Sequence, residues 1–100
     1  MIKHIVCWRL KESAHGNTKQ ENARLIKDKL EGLRGRIPGL LTIEVGIDTT
    51  ATPSSSDIVL YSEFASQEAL NAYQVHPEHK AIVPFVAEAQ SERRMVDYEH

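Results

Sequence analysis

The sequence has little of what several functional classes require. Cys7 is its single cysteine, which excludes an internal disulfide and a zinc site built from several thiolates. Twelve basic residues stand against fourteen acidic ones, and because no block of five like charges occurs, we expect no nucleic-acid partner. The short apolar run at the N-terminus is broken by Arg9 and Lys11, far below the roughly 20 apolar residues of a membrane span. These absences predict a cytoplasmic protein that does not bind membranes.

Cofactor motifs are also missing. The chain has five glycines, but none forms a phosphate cradle, because three of them surround one predicted helix end. We therefore expect no nucleotide cofactor. His76 and His79 have the spacing of a metal-binding pair, but Pro77 disrupts the helix that would make them converge, and no further ligand has motif spacing. No metal is expected either.

Apolar residues with a period of two predict the strands of one domain covering residues 1–100. We expect strands over 4–10, 41–47 and 58–64, and a short one over 94–98. The second strand alternates most clearly, and the residues that we place on its core face are Leu41, Ile43, Val45 and Ile47.

A first helix is predicted by helical spacing and by a capping box of Thr18 and Glu21. Gly35 supplies the left-handed stop that ends it. The apolar face consists of Ile26, Leu30, Leu33 and Ile37. The polar segment 48–57 has no large apolar residue and is expected to be a mobile connection.

A second helix begins at Ser66, which is a suitable N-cap. It should end near Val75, because Pro77 pushes the residue before it out of helical geometry. A helical stretch resumes near Glu78 and is short or kinked because of Pro84. Its expected core contacts are Ile82, Phe85 and Val86.

This order, β-α-β-β-α-β, predicts an α+β, ferredoxin-like protomer with an antiparallel four-stranded sheet and helices on one face. The other face would carry Ile5, Cys7, Val59 and Tyr61, which together are too apolar to remain in water. No helix is left to cover them. A homodimer with two sheets packed face to face is therefore expected.

Five segments together resemble the stress-responsive dimeric α/β-barrel (Dabb) family over essentially the whole chain. They are Met1–Val6, Ile37–Leu40, Glu44–Gly46, Tyr73–His79 and Val96–Tyr98. The resemblance implies a ferredoxin-like protomer and a dimer whose two sheets form an α/β barrel. It leaves the activity open, because the family and its relatives include a plant polyketide cyclase, stress-induced proteins without evident chemistry, and small quinol-type monooxygenases.

The resemblance also implies site residues. His79 and Tyr73 match the cyclase branch's histidine base and tyrosine donor in the shared pattern Tyr-x-x-His-Pro-x-His. His4 matches a histidine common at its position and is the expected auxiliary polar group. Asp57 stands where the cyclase has another pocket histidine, which departs from that enzyme's pattern. The residues expected to contact a small hydrophobic or aromatic ligand are Val6, Trp8 and Phe85.

Each of these residues also has a purely structural interpretation. Tyr73 could be a core aromatic residue whose hydroxyl bonds to the backbone. His79 could brace the turn after Pro77, and His4 could be a core histidine with a hydrogen-bonded neighbour. Three functions therefore stay open. They are cofactor-independent acid/base chemistry on a small carbonyl or aromatic compound, a non-catalytic stress-responsive or ligand-holding role, and a cofactor-free quinol-type monooxygenase.

Overall fold

The computed structural model describes residues 1–100 as one antiparallel sheet of four strands, with helices over one face. In chain order the elements are β1 (Ile2–Leu10), β2 (Ser13–Ala14), β3 (Asn17–Thr18), α1 (Lys19–Glu31), β4 (Leu40–Ile47), β5 (Ile58–Phe64), α2 (Gln67–Gln74), α3 (Pro77–Lys80), α4 (Val83–Ala89) and β6 (Gln90–Glu99). The strands lie in the order β4-β5-β1-β6, and all neighbours are antiparallel. The predicted α+β, ferredoxin-like fold is confirmed.

Strand β1 lies inside the sheet and pairs with β5 on one side and β6 on the other. Its even-numbered residues are buried in the core formed with the helices, whereas its odd-numbered ones are only half-buried. The face that bears the odd-numbered residues, here called the outer face, has no helix over it. Its apolar members in β1 and β5 are Ile5, Cys7, Val59 and Tyr61.

Strand β4 corrects one expectation. Ile43 and Val45 are buried as predicted, but Leu41 is 56% exposed and Ile47 is 41% exposed. The pairing register between β4 and β5 shifts between Leu40 and Thr42, which interrupts the strict alternation at Leu41. Ile47 is the last residue of β4, which is an edge strand of the sheet. A local irregularity of this kind leaves no mark in the hydropathy pattern.

Both predicted helix starts are confirmed. The hydroxyl of Thr18 accepts from the amide of Glu21, and the Glu21 carboxylate accepts from the amide of Thr18, at 3.2 and 2.8 Å. The hydroxyl of Ser66 accepts from the amide of Ala69 at 3.1 Å. These bonds satisfy amides that have no partner within the helix.

Helix α1 ends earlier than its apolar spacing predicts. Its last residue is Glu31, and Gly35 has its positive φ of 77° in the turns that follow, not at the helix end. Leu33 and Ile37 are nevertheless buried in the core. The spacing therefore identified the buried residues correctly and overextended the helix.

The predicted break after α2 is confirmed. Helix α2 ends at Gln74, and the ring of His76 accepts from the amide of Glu78 at 3.1 Å to cap α3. Pro84 lies in the first turn of α4, so the resumed stretch consists of two short helices. None of the four helices is long and apolar enough to cross a membrane.

A small hairpin between β1 and α1 was not predicted. Strands β2 and β3 pair across His15 and Gly16, which have positive φ values of 56° and 74°, as a two-residue hairpin turn requires. The turn stacks the ring of His15 on that of Phe85, with centroids 4.0 Å apart and planes 4° apart. The hairpin therefore packs against Phe85 of α4.

Gly39 permits the close approach of the α1–β4 connection to α2. Its φ is +82°, and an added Cβ would lie 2.5 Å from the Cβ of Ala69. The carbonyl of Gly39 also accepts from the amide of Ala65 at 2.9 Å. Because α2 carries Tyr73, this contact helps to position the cavity described below.

We expect Gly39→Ala to destabilise the fold more than Gly35→Ala. Both positions have positive φ, which costs a non-glycine residue about 1 to 2 kcal/mol, but only Gly39 also meets a neighbouring side chain. Gly35 faces open space and is the matched control. Urea unfolding measures both losses, and equal losses in the two variants would contradict the packing argument.

Candidate functional site

A cavity of about 380 Å³ lies between the sheet and helices α2 and α4. Its aliphatic lining is formed by Val6, Leu60, Val83, Val86 and Ala87. The remaining lining residues carry polar atoms and are His4, Trp8, Tyr73, Gln74, His79, Gln90 and Arg93. The cavity thus brings together five of the residues singled out from the sequence.

Tyr73 and His79 lie in contact, with ring centroids 4.2 Å apart and planes inclined by 40°. On one continuous helix, residues six positions apart are related by a rotation of about 240° around the axis and lie on different faces. The end of α2 at Gln74 and the turn before Pro77 remove this separation. The break in the helix therefore allows the two rings to line the same cavity.

The Tyr73 hydroxyl has no hydrogen-bond partner in the protein. The residue is fully buried, and burial raises the pKa of its phenol well above the ordinary value. The charge of Arg93 acts in the opposite direction but is the smaller effect. The hydroxyl is therefore a protonated donor without an acceptor, and the interpretation that it bonds to the backbone is wrong.

His79 is half-buried, and its Nδ1 lies 3.4 Å from the carbonyl oxygen of Gln74. Because a carbonyl only accepts, Nδ1 carries the proton and Nε2 of the neutral ring has the free lone pair. Burial lowers the pKa of His79, and the charges of His4, Arg93 and His76 lower it further against the raising effect of the Gln74 bond. At neutral pH the ring is a free base.

His4 is 2% exposed, and its Nδ1 lies 2.5 Å from Oδ1 of Asp97. The two residues are direct partners in the register of β1 and β6. The carboxylate accepts from Nδ1 and fixes the orientation of the ring, whose edge approaches Tyr73 with centroids 6.2 Å apart. Asp97 was not identified from the sequence, because that pairing joins the two ends of the chain.

Trp8 and Val6 line the cavity as expected and are almost completely buried. The indole Nε1 of Trp8, like the Tyr73 hydroxyl, has no acceptor in the protein. Arg93, which no motif or spacing in the sequence indicated, is the partner of Trp8 in the β1–β6 register and also lines the cavity. A flat wall and several donors therefore surround the space.

Phe85 does not line this cavity, so its expected ligand contact is corrected. Its ring stacks on His15, and its carbonyl accepts from Nε2 of His15 at 2.9 Å. The short helix α4 presents Val86 to the cavity in place of Phe85.

Asp57, which replaces a pocket histidine of the cyclase branch, does not line the cavity. Its Oδ2 accepts from the amide of Leu10 at 2.7 Å and lies 3.6 Å from Nζ of Lys19. The residue therefore ties the end of β1 to the start of β5. No group of three or more His, Cys, Asp or Glu side chains forms a metal-binding arrangement.

We expect Tyr73→Phe to leave the fold as stable or to increase the free energy of unfolding by about 1 kcal/mol, because it removes a buried donor without a partner. Thr50→Val, which removes an exposed hydroxyl outside both the cavity and the outer face, is the control and should change little. Thermal and urea unfolding measure both. A clear loss of stability in Tyr73→Phe alone would mean that the hydroxyl has a partner in solution.

The chain is similar to several proteins of known structure. A dimeric protein of unknown function with a ferredoxin-like fold from Bacteroides fragilis NCTC 9343 is 34% identical, with a TM-score of 0.84, over 99% of this chain and 95% of that one. A hydroxynitrile lyase from Passiflora edulis is 17% identical, with a TM-score of 0.80, over 97% of this chain and 90% of that one. An antibiotic biosynthesis monooxygenase is also 17% identical, with a TM-score of 0.72, over 100% of this chain and 98% of that one.

The two matches at 17% identity show a shared fold only. Comparison with the curated proteins finds no match. Residues 2–100 match the family described as the stress responsive A/B barrel domain, Dabb. This match covers nearly the whole chain and agrees with the motifs and the fold. The chain belongs to the stress responsive A/B barrel (Dabb) family.

Proposed function

We propose that the protein binds a small carbonyl or aromatic compound in the cavity and performs cofactor-independent acid/base chemistry on it. His79 acts as the base, Tyr73 as the hydrogen-bond donor and His4 as an auxiliary polar group. The observation that carries this proposal is the contact between the neutral imidazole of His79 and the protonated phenol of Tyr73, whose ring centroids lie 4.2 Å apart. The phenol hydroxyl has no hydrogen-bond partner in the protein. A base beside an unused donor suits proton abstraction next to a carbonyl.

In this reaction, Nε2 of His79 takes a proton from the carbon beside the carbonyl, and the Tyr73 hydroxyl donates to the oxygen on which negative charge develops. The imidazolium that forms is a comparatively strong acid, because burial lowers the pKa of His79. It therefore returns the proton readily to the product carbon or oxygen. General base catalysis typically contributes about 10² to 10⁴ in rate, and one oxyanion donor about 10² to 10³.

His4 contributes a fixed polar edge to the cavity. Its bond to Asp97 commits Nδ1, which leaves Nε2 as its second hydrogen-bonding atom. The ring meets Tyr73 edge-on. This arrangement supports a role in orienting the ligand and the phenol, with Asp97 acting through His4.

The aliphatic walls and Trp8 also favour a second candidate, a ligand-holding protein without chemistry. The likeness of fold to a hydroxynitrile lyase and to an antibiotic biosynthesis monooxygenase is compatible with either candidate, because one fold supports many functions. A monooxygenase of quinols would consume oxygen with a hydroquinone panel. A ligand-holding protein would bind its ligand equally well when His79 cannot accept a proton.

A homodimer through the outer face is part of the proposal. Ile5 and Tyr61 are half-buried there, and the same face of β6 adds Val96 at 52% and Tyr98 at 41% exposure. The similar protein from Bacteroides fragilis is described as dimeric. A second copy of the sheet would remove this apolar surface from water.

A cytoplasmic location is also proposed. Cys7 is a free cysteine on the outer face. Unpaired cysteines are typical of proteins in reducing compartments.

Light scattering on the purified protein at micromolar concentration should give the mass of a dimer. Ile5→Glu, which places a charge in the middle of the outer face, should give a monomer. Leu25→Glu on the exposed side of α1 is the matched control and should stay dimeric. A monomeric wild type would contradict the proposed interface.

Exchange of carbon-bound protons for deuterium in β-keto acids and phenyl ketones, followed by NMR, tests the chemistry directly. His79→Ala should slow the exchange about 10² to 10⁴-fold, since the base is lost. His100→Ala, one residue beyond β6 and outside the cavity, is the control. Since the pKa of His79 is lowered, the wild-type rate should be constant near neutrality and fall only below pH 6.5.

Exchange that continues unchanged in His79→Ala would show that His79 is not the base. Tight binding of a probe without any exchange in the wild type would favour the ligand-holding candidate.

A further inference from the structure

Arg93 lies on the cavity side of β6. It is the direct cross-strand partner of Trp8, a buried residue on the helix-covered face, so both side chains belong to that face. Its guanidinium forms no ion pair with any carboxylate of the chain. A cation beside an apolar cavity and without an acidic partner is available to a ligand.

The other residues that line the cavity carry no negative charge that would oppose Arg93. No aspartate or glutamate lines it, and Arg93 is its one permanently charged residue. The indole N–H of Trp8 and the hydroxyl of Tyr73 are donors that lack acceptors in the protein. The cavity therefore offers one positive charge and two unused donors, and it lacks any anionic group that would repel an acid.

We propose that the cavity selects ligands that carry one carboxylate, with Arg93 binding that carboxylate and the apolar walls holding the remainder of the molecule. The planar guanidinium donates two parallel hydrogen bonds that match the two oxygens of a carboxylate. This inference rests on the proposed function in taking the same cavity as the binding site. It narrows the substrate class to small aromatic acids and β-keto acids.

The charge count favours a carboxylate over a phosphate. Lysine is absent from the lining, and a single guanidinium balances a single negative charge. The charge of Arg93 also reaches Tyr73 and His79, because it acts to lower the pKa of both groups. Arg93 lines the same cavity as Tyr73 and His79, so an acid group bound by Arg93 would leave the remainder of the molecule in the space beside the two rings.

Arg94 provides a matched control. It is the next residue on the same exposed strand, but it pairs with Cys7 and so lies on the outer face. Its guanidinium lies 4.0 Å from the carboxylate of Glu92. Arg93→Gln and Arg94→Gln change the net charge equally, but only Arg93→Gln removes a cation from the cavity lining.

Calorimetric titration of wild type and both variants with benzoate, benzamide and phenyl phosphate tests the proposal. We expect the wild type to bind benzoate about tenfold or more tightly than benzamide, as a charge-assisted pair provides. Arg93→Gln should abolish that preference while leaving benzamide binding unchanged, and Arg94→Gln should retain it. Circular dichroism verifies that both variants are folded.

Three results would overturn the proposal: equal binding of benzoate and benzamide, equal effects of the two arginine variants, or tighter binding of phenyl phosphate than of benzoate. Failure to bind either acid at millimolar concentration would overturn it as well. The outcome is separable from the proposed chemistry. Deuterium exchange that depends on His79 together with equal affinity for acid and amide would refute the carboxylate assignment alone.

Discussion

The alternation of side chains along β1 is the constraint on which the rest of the structure depends. Because β1 pairs with a strand on each edge, hydrogen bonds on both sides fix which of its side chains point to which face of the sheet. One face supplies His4, Val6 and Trp8 to the cavity, and the other supplies Ile5 and Cys7 to the outer face. A shift of register by one residue would exchange these faces, so cavity and outer face are specified together.

The second constraint is the interruption of the helical segment that covers the sheet. A continuous helix would bury the Tyr73 ring and direct His79 elsewhere. The break before Pro77 lets the core aromatic and the half-buried histidine meet at one wall. Burial raises the pKa of Tyr73, because it disfavours the charged phenolate. Burial lowers the pKa of His79, because it disfavours the charged imidazolium.

Local chemistry made much of this predictable from the sequence. The sequence correctly predicts features that depend on neighbouring residues, namely the helix caps at Thr18 and Ser66 and the break at Pro77. It also predicts the ferredoxin-like order of elements correctly. It does not predict features that depend on the pairing of distant strands. Asp97 and Arg93 reach the site because β6 pairs with β1, and hydropathy does not encode which residue faces which across that ladder. Leu41 was misplaced for a similar reason, because a register shift between β4 and β5 determines where it lies. Phe85 packs against the core as predicted but lies outside the cavity lining, where its ring stacks on His15 of the unpredicted hairpin.

The partnerless hydroxyl of Tyr73 also has an evolutionary consequence. If it lowers the stability of the fold, drift under selection for stability alone leads toward phenylalanine at this position. Tyrosine would then persist only in lineages where the oxygen is used. The identity of this one residue therefore offers a way to sort relatives that share the barrel into those that retain a working cavity and those that have become structural proteins.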